Sequence, residues 1–140
     1  MRTPSACFTI GSLLMTASVS CGGAVSDPSP LRLAGAWGGD YVSMTVTMAA
    51  SHLEFDCAHG EIPSAVTLDE AGAFTAPGAY IREHGGPIRE GETGETHPAI
   101  YSGTVRGGTM RLLVFLTDTN DTLGTFTLAR DVPGLVLKCL

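Results

Sequence analysis

The sequence predicts an all-β fold, an up-and-down antiparallel barrel of about eight strands, with a two-sheet β-sandwich as the alternative. Short runs in which apolar and polar residues alternate follow one another along the chain, and turn-forming residues separate them. The composition favours strands over helices, because 18 glycines punctuate the chain and charged residues make up only 16% of it. A sheet of this size curls until its edges meet, which favours the barrel.

The clearest part of this pattern is residues 101–130, which predict three strands joined by two tight turns. Gly107 and Gly108 form the first turn, since glycine adopts positive φ at little steric cost. Residues 119–121, a Thr-Asn-Asp segment, form the second turn. The apolar runs between these turns are therefore expected to pair antiparallel.

The first twenty residues have the pattern of a secretory leader. Arg2 precedes a mostly apolar stretch over residues 6–19, which is too short and too polar to remain as a membrane-spanning helix. Residues 21–30 contain two prolines and follow as a short tether. The remaining residues, 31–140, are expected to form a single β-barrel domain.

Ser18, Val19, Ser20 and Cys21 resemble the lipobox of bacterial lipoproteins. The resemblance implies that Cys21 is lipidated and becomes the mature N-terminus, which would anchor an exported protein in a lipid bilayer at the periplasmic or outer face of a bacterial envelope. The alternative is an ordinary secreted protein that is cut after Ser20 or Ala24. Mass spectrometry of the mature N-terminus distinguishes the two.

Gly35, Ala36 and Trp37 open the domain and resemble the Gly-x-Trp of the calycin barrels, the lipocalins and avidins. The resemblance implies a closed barrel in which the Trp plugs one end. The alternative is that Trp37 is simply a large core residue beside a glycine turn.

Four further strands follow at residues 42–48, 52–58, 62–68 and 74–82, the last of them broken at Pro77. The residues expected to point inward in the first two are Val42, Met44, Val46, Met48, Leu53, Phe55 and Cys57. A final short strand is expected at residues 135–139.

Two cysteines remain once the leader and Cys21 are set aside. Cys57 and Cys139 both fall on inward-facing positions, the latter with Leu135 and Leu137. An exported protein meets an oxidising compartment, so we expect a Cys57–Cys139 disulfide, with two buried free thiols as the alternative.

Residues 83–98 form the longest irregular segment and are expected to be a loop, which in compact domains is often functional. Imidazole and carboxylate side chains in this loop and near strand ends make it a candidate ligand or metal site, for zinc or copper. Arg82 with Arg89 makes an anion site a further option. The candidate residues are Asp56, His59, Arg82, Glu83, His84 and His97. No pair has a specific metal spacing, so exposed loop residues that hydrogen-bond glycine-rich turns are the simpler interpretation.

No catalytic motif is present, since the sequence has no nucleophile elbow, no phosphate-binding glycine loop and no carboxylate pair with a defined spacing. We therefore expect a protein that is not an enzyme. The formal net charge of −6 argues against binding to nucleic acid, whose phosphates would repel the surface.

Three functions remain open. The first is an envelope-anchored binder of a small ligand at the barrel mouth, which predicts an apolar cavity beside the 83–98 loop and fails if side chains such as Met44, Met48, Phe55 and Phe126 fill the interior. The second is a structural or protein-interaction module of the envelope, with a filled barrel and an exposed apolar strip near Leu113 and Phe115. The third is a metal site on His59, His84 and His97. The leader and the small all-β domain together are similar to uncharacterised lipoproteins of bacterial envelopes, which implies a location but no activity.

Overall fold

The computed structural model describes residues 29–87 and 89–140. The predicted leader, the lipidation site Cys21 and residues 21–28 of the predicted tether lie outside the described residues. All regular elements within the described ranges are β-strands, and no helix there could cross a bilayer. The strands are β1 (Leu31–Arg32), β2 (Gly35–Gly39), β3 (Val42–Val46), β4 (Ser51–Phe55), β5 (Ala58–Ile62), β6 (Thr67–Leu68), β7 (Ala73–Arg82), β8 (Glu95–Arg106), β9 (Thr109–Leu116) and β10 (Asp121–Arg130).

Eight strands close into an antiparallel barrel in the order β10-β2-β3-β4-β5-β7-β8-β9, while β1 and β6 form a separate two-stranded sheet. The predicted barrel is confirmed, and the sandwich alternative is wrong. The barrel closes where β10 meets β2, through the pairs Ala129–Gly38 and Arg130–Trp37. A closed sheet leaves few free strand edges, which suits a chain built from short antiparallel runs.

The barrel interior is filled by side chains around Tyr101 of β8. Tyr101 is fully buried, and its hydroxyl donates a hydrogen bond to the carbonyl of Ala79 at 2.7 Å. The ring has room because Gly60 and Gly78 face it, and a Cβ at either position would collide with Tyr101 or with nearby backbone. The largest other side chains that are less than 2% exposed are Trp37, Met44, Leu53, Ile62, Met110, Leu112, Leu116 and Leu128.

Trp37 is buried at the end of the barrel where β10 finishes. The guanidinium of Arg130 lies over its ring at 4.9 Å from the centroid and donates a hydrogen bond to the carbonyl of Ala34. This cation–π contact covers the indole on its outer side. The eight-stranded antiparallel barrel is consistent with the calycin-like architecture that Gly35, Ala36 and Trp37 suggested.

We call the opposite end of the barrel the mouth. It carries the turns at residues 40–41, 56–57 and 117–120 and the long loop at residues 83–94. The predicted loop was too long, because β8 begins at Glu95 and pairs with β7 from there onward. His97 therefore lies in a strand, where its direction is fixed by the alternation of β8.

The last ten residues, 131–140, form a strap across the outer wall of the barrel rather than the predicted final strand. The strap makes only an isolated bridge at Leu135, whose amide donates to the Gly39 carbonyl and whose carbonyl accepts from the Tyr41 amide. Leu135 and Leu137, predicted to point inward, are 69% and 73% exposed. The reason is topological: eight strands have already closed the barrel, so a ninth segment has no interior left to face.

Other observed strand boundaries also differ from the predicted ones. Met48, predicted to point inward, is 56% exposed because β3 ends at Val46 and the hydroxyl of Thr47 closes a turn by donating to the Ala50 carbonyl at 2.8 Å. The third predicted strand, residues 62–68, is largely absent: Ile62 is the last residue of β5, and only Thr67–Leu68 form a strand, β6, which pairs with β1 outside the barrel.

The predicted break at Pro77 is absent. β7 runs without interruption over Ala73–Arg82, and β5 pairs only with its last four residues. On the β5 side of β7, no strand is paired with Pro77, so none there requires the amide hydrogen that proline lacks.

The predicted disulfide is confirmed. Cys57 and Cys139 are bonded, with Cα atoms 4.9 Å apart and a separation of 82 positions in sequence. Cys57 does not point inward from a strand as predicted: it is the second residue of the two-residue turn between β4 and β5 and has a φ of 52°. The bond fastens the end of the strap to the mouth.

Candidate functional site

His97 occupies the inner side of the mouth, on the same side of β8 as Tyr101, and is only 7% exposed. Its Nδ1 lies 2.7 Å from Oδ2 of Asp118 in the turn after β9, and this hydrogen bond lowers the pKa of Asp118. When Nδ1–H donates to Asp118, Nε2 is left as an acceptor. Nε2 is buried and makes no hydrogen bond, although Oε1 of Glu95 lies 3.4 Å away.

Three aromatic rings form a chain of contacts that begins next to His97. Tyr80 pairs directly with His97 across the β7–β8 ladder, and its ring centroid is 5.5 Å from that of Phe55. The ring centroid of Phe126 is in turn 5.4 Å from that of Phe55. Burial raises the pKa of Tyr80, so its hydroxyl stays protonated at neutral pH. We call His97, Asp118 and these three rings the mouth cluster.

A second cluster lies on the outer wall, under the strap. Nζ of Lys138 contacts a carboxylate oxygen of Glu54 and lies 3.1 Å from Oε2 of Glu83. His52 Nε2 lies 2.6 Å from Oε1 of Glu54, and His59 Nδ1 lies 2.7 Å from Oε1 of Glu83. We call these five residues the strap cluster. They join β4, β5, the start of the long loop and the strap in one network of ion pairs.

The strap cluster borders a small cleft of about 280 Å³ on the outer wall, between the long loop and the end of the strap. The loop residue His84 is held there by Glu92, whose carboxylate is 3.0 Å from its Nε2. Among the residues that line the cleft are His59, Arg82, Glu83, His84 and Cys139.

No protein-family model, curated protein or solved structure matches this chain. The two clusters are therefore the features of the molecule that bear on its function.

The structure brings four of the predicted site residues together, namely His59, Arg82, Glu83 and His84, which all line the outer cleft. Asp56 lies nearby, where its Oδ1 accepts a hydrogen bond from the Leu137 amide at 2.7 Å. His97 lies apart from them, on the inner side of the wall. Within residues 29–87 and 89–140, no three His, Cys, Asp or Glu side chains are arranged to hold one metal ion.

Sequence reasoning missed several members of both clusters. Neither Asp118 nor Tyr80 was among the predicted site residues, because only the closed sheet brings them to His97. Lys138 carried a signal that could have been used, since it is the sole lysine of the 140 residues and is adjacent to a disulfide cysteine.

The strap cluster should be visible in the titration of its carboxylates. Although partial burial acts in the opposite direction, hydrogen bonds from Lys138 and His52 lower the pKa of Glu54, and bonds from His59 and Lys138 lower that of Glu83. Their contribution to stability is therefore complete above their ordinary pKa of 4.5 and is lost as the pH falls through the lowered values. Carboxyl ¹³C NMR should give midpoints below 4.5 for both in the wild type.

The Lys138→Met variant should move both midpoints upward. The matched control is Arg106→Met, which removes the same charge from an exposed residue at the other end of the barrel and should leave them unchanged. Equal midpoints in wild type and Lys138→Met would contradict the ion pairs.

Proposed function

We propose that this protein is an exported, lipid-anchored protein of the bacterial envelope whose barrel binds a small ligand at the mouth. The observation that supports the proposal most directly is the bare Nε2 of His97. Buried polar atoms are nearly always hydrogen-bonded, and leaving one unpaired costs about 1–3 kcal/mol. A ligand that donates a hydrogen bond to Nε2 would recover that cost.

The mouth cluster also limits the kind of ligand. Asp118 fixes the imidazole so that Nε2 accepts, and the ligand must therefore carry an N–H or O–H group. Tyr80 and Phe126 offer aromatic faces to an apolar or cationic body. Glu95 lies 3.4 Å from Nε2, is 64% exposed in its side chain, and would swing aside to admit the ligand.

The packed interior limits how deeply a ligand can enter the barrel. Because Tyr101 and its neighbours fill the barrel, a ligand can reach the rim but not the centre. We therefore expect a compact ligand, such as a small amine or alcohol with an apolar group.

The test uses probes that share this chemistry. Benzylamine and benzyl alcohol should shift the ¹⁵N resonance of His97 Nε2, and toluene, which has no donor, should not. His97→Phe should abolish binding, and the control His84→Ala, which alters an exposed loop imidazole, should not. Binding at the mouth is ruled out if toluene has the same effect as benzylamine, or if no probe perturbs His97.

A separate measurement tests the proposed location and lipid anchor. Native mass spectrometry of the protein extracted from its own membrane should show acylation on Cys21 and an adduct that disappears in His97→Phe. An unmodified N-terminus removes the anchor from the proposal but leaves the mouth site in place.

A protein-interaction module is the second candidate, and both the filled interior of the barrel and an exposed apolar surface favour it. Tyr41 is 61% exposed beside Leu135 and Leu137 of the strap, which are more exposed still. Leu113 of β9, in the strip predicted from sequence, is 37% exposed. Exposed apolar groups that adjoin one another are characteristic of interaction surfaces, so photo-crosslinking from position 137 in the envelope distinguishes this candidate from the first.

A further inference from the structure

The outer surface of β7, β8 and β9, which we call the β7–β9 wall, carries a row of apolar side chains. Ile100 of β8 pairs with Pro77 of β7 on one side and with Phe115 of β9 on the other, and all three alternate with buried residues and so face outward. Leu113 lies on the same face of β9 and is 37% exposed. The sheet holds these four side chains next to one another, and we call them the apolar row.

The same wall carries no acidic side chain. None of the outward-facing positions of β7, β8 and β9 is an aspartate or a glutamate, whereas Arg106 and Arg111 are exposed there. The chain as a whole has a formal net charge of −6, so its acids lie on other surfaces. Glu54 and Glu61, for example, point outward from β4 and β5. A wall that combines arginines with an apolar row in an acidic protein is complementary to a partner that is both apolar and anionic.

The described chain begins beside this wall. Pro30 lines a surface cleft of about 330 Å³ together with Ala73, the first residue of β7. Ala73 pairs with Thr104, and Thr104 pairs with Arg111, so the tether joins the barrel two strands away from an arginine of the wall. Cys21 and Pro30 are nine positions apart, and an extended chain spans at most about 3.5 Å per residue, so a lipid on Cys21 holds this part of the barrel within about 30 Å of the bilayer.

We propose that the β7–β9 wall lies on the surface of a bilayer that contains anionic lipids. The inference rests on the lipid anchor of the proposed function, which keeps the wall close to the bilayer. The apolar row enters the boundary between headgroups and acyl chains, where apolar side chains leave water. Arg106 and Arg111 bind lipid phosphates, which guanidinium groups contact through paired N–H donors.

The strap presents a second apolar surface on the opposite side of the barrel. It contacts Gly39 of β2 and Glu54 of β4, and the strand between them, β3, is four strands away from β8 in either direction around the barrel. Leu135 and Leu137 of the strap are more exposed than Leu113. Exposed apolar area alone therefore favours bilayer contact through the strap, whereas charge and the position of the tether favour the β7–β9 wall.

The test is methyl NMR of the acylated protein in lipid nanodiscs made of equal parts of phosphatidylcholine and phosphatidylglycerol, with a spin-labelled lipid added. The methyl signals of Ile100 and Leu113 should lose intensity because they lie near the spin label, while those of Leu135 and Leu137 should keep theirs. Nanodiscs of phosphatidylcholine alone should give a smaller loss, because their headgroups carry no net charge that attracts the arginines.

Two variants of the wall test its two components. Leu113→Glu places an acid in the apolar row and should restore the signal of Ile100, and the matched control Leu137→Glu on the strap should not. Arg111→Gln should reduce the loss at Ile100 only in the nanodiscs that contain phosphatidylglycerol. Circular dichroism of each variant checks that the barrel is intact.

The proposal is overturned by signal loss at the strap leucines instead, by equal loss on both sides of the barrel, or by a loss at Ile100 that Leu113→Glu does not reverse. Signals that persist on both sides also overturn it and leave the apolar row as a surface for a protein partner. Mass spectrometry of the same sample separates this inference from the proposed function. An unmodified Cys21 removes the anchor and the orientation with it, whereas an acylated protein that turns its strap to the lipid overturns the orientation alone.

Discussion

Replacing Tyr101 by alanine is expected to lower the free energy of unfolding by about 3–5 kcal/mol, the usual cost of removing a large buried aromatic ring. Tyr101 is fully buried, and Gly60 and Gly78 give its ring the space it fills. The surrounding strands are held by a closed ladder on both sides and cannot collapse into the vacated volume. Urea unfolding followed by circular dichroism measures the loss.

Two matched variants separate the contributions. Tyr101→Phe keeps the ring and loses only the hydrogen bond to the Ala79 carbonyl, so it should cost about 1–2 kcal/mol. Tyr41→Ala removes a ring of the same kind that is 61% exposed, and it should change the stability by less than about 1 kcal/mol. If Tyr101→Ala were no more destabilising than Tyr41→Ala, the packed centre of the barrel would be wrong.

The barrel could be predicted from sequence because strand alternation reports which residues share a face. In β3 and β4 that rule identified Val42, Met44 and Leu53 as core residues, and all three are buried. The rule cannot say whether a shared face points into the barrel or away from it. Leu135 and Leu137 share a face as predicted, yet the strap lies outside the wall and presents both to solvent.

The candidate site could be predicted only in part, for the same reason. His59, Glu83 and His84 are close to one another because β5 and the end of β7 are neighbours in the closed sheet. His97 and Asp118 are 21 residues apart in sequence, and they meet only because β8 and β9 bring the two strand ends together. Lys138 and Glu54 are even farther apart in sequence, and no local pattern predicts that the strap folds back over the barrel wall.

Removing the disulfide should be the other change with a large effect on stability. Cys57→Ser with Cys139→Ser opens a cross-link that spans 82 residues, and the chain-entropy treatment assigns such a loop about 4.5 kcal/mol. Removing the cross-link acts mainly on the unfolded chain, which becomes free to expand. The denaturant m-value should therefore rise along with the fall in stability, because more surface is exposed on unfolding.

Lys138→Met is the control that separates the covalent bond from the ion pairs beside it. Lys138 is 41% exposed in its side chain, and pairs that are open to solvent contribute little, so this variant should cost less than about 1 kcal/mol and leave the m-value unchanged. A double-serine variant as stable as Lys138→Met would mean that the strap is held by its polar contacts and not by the bond.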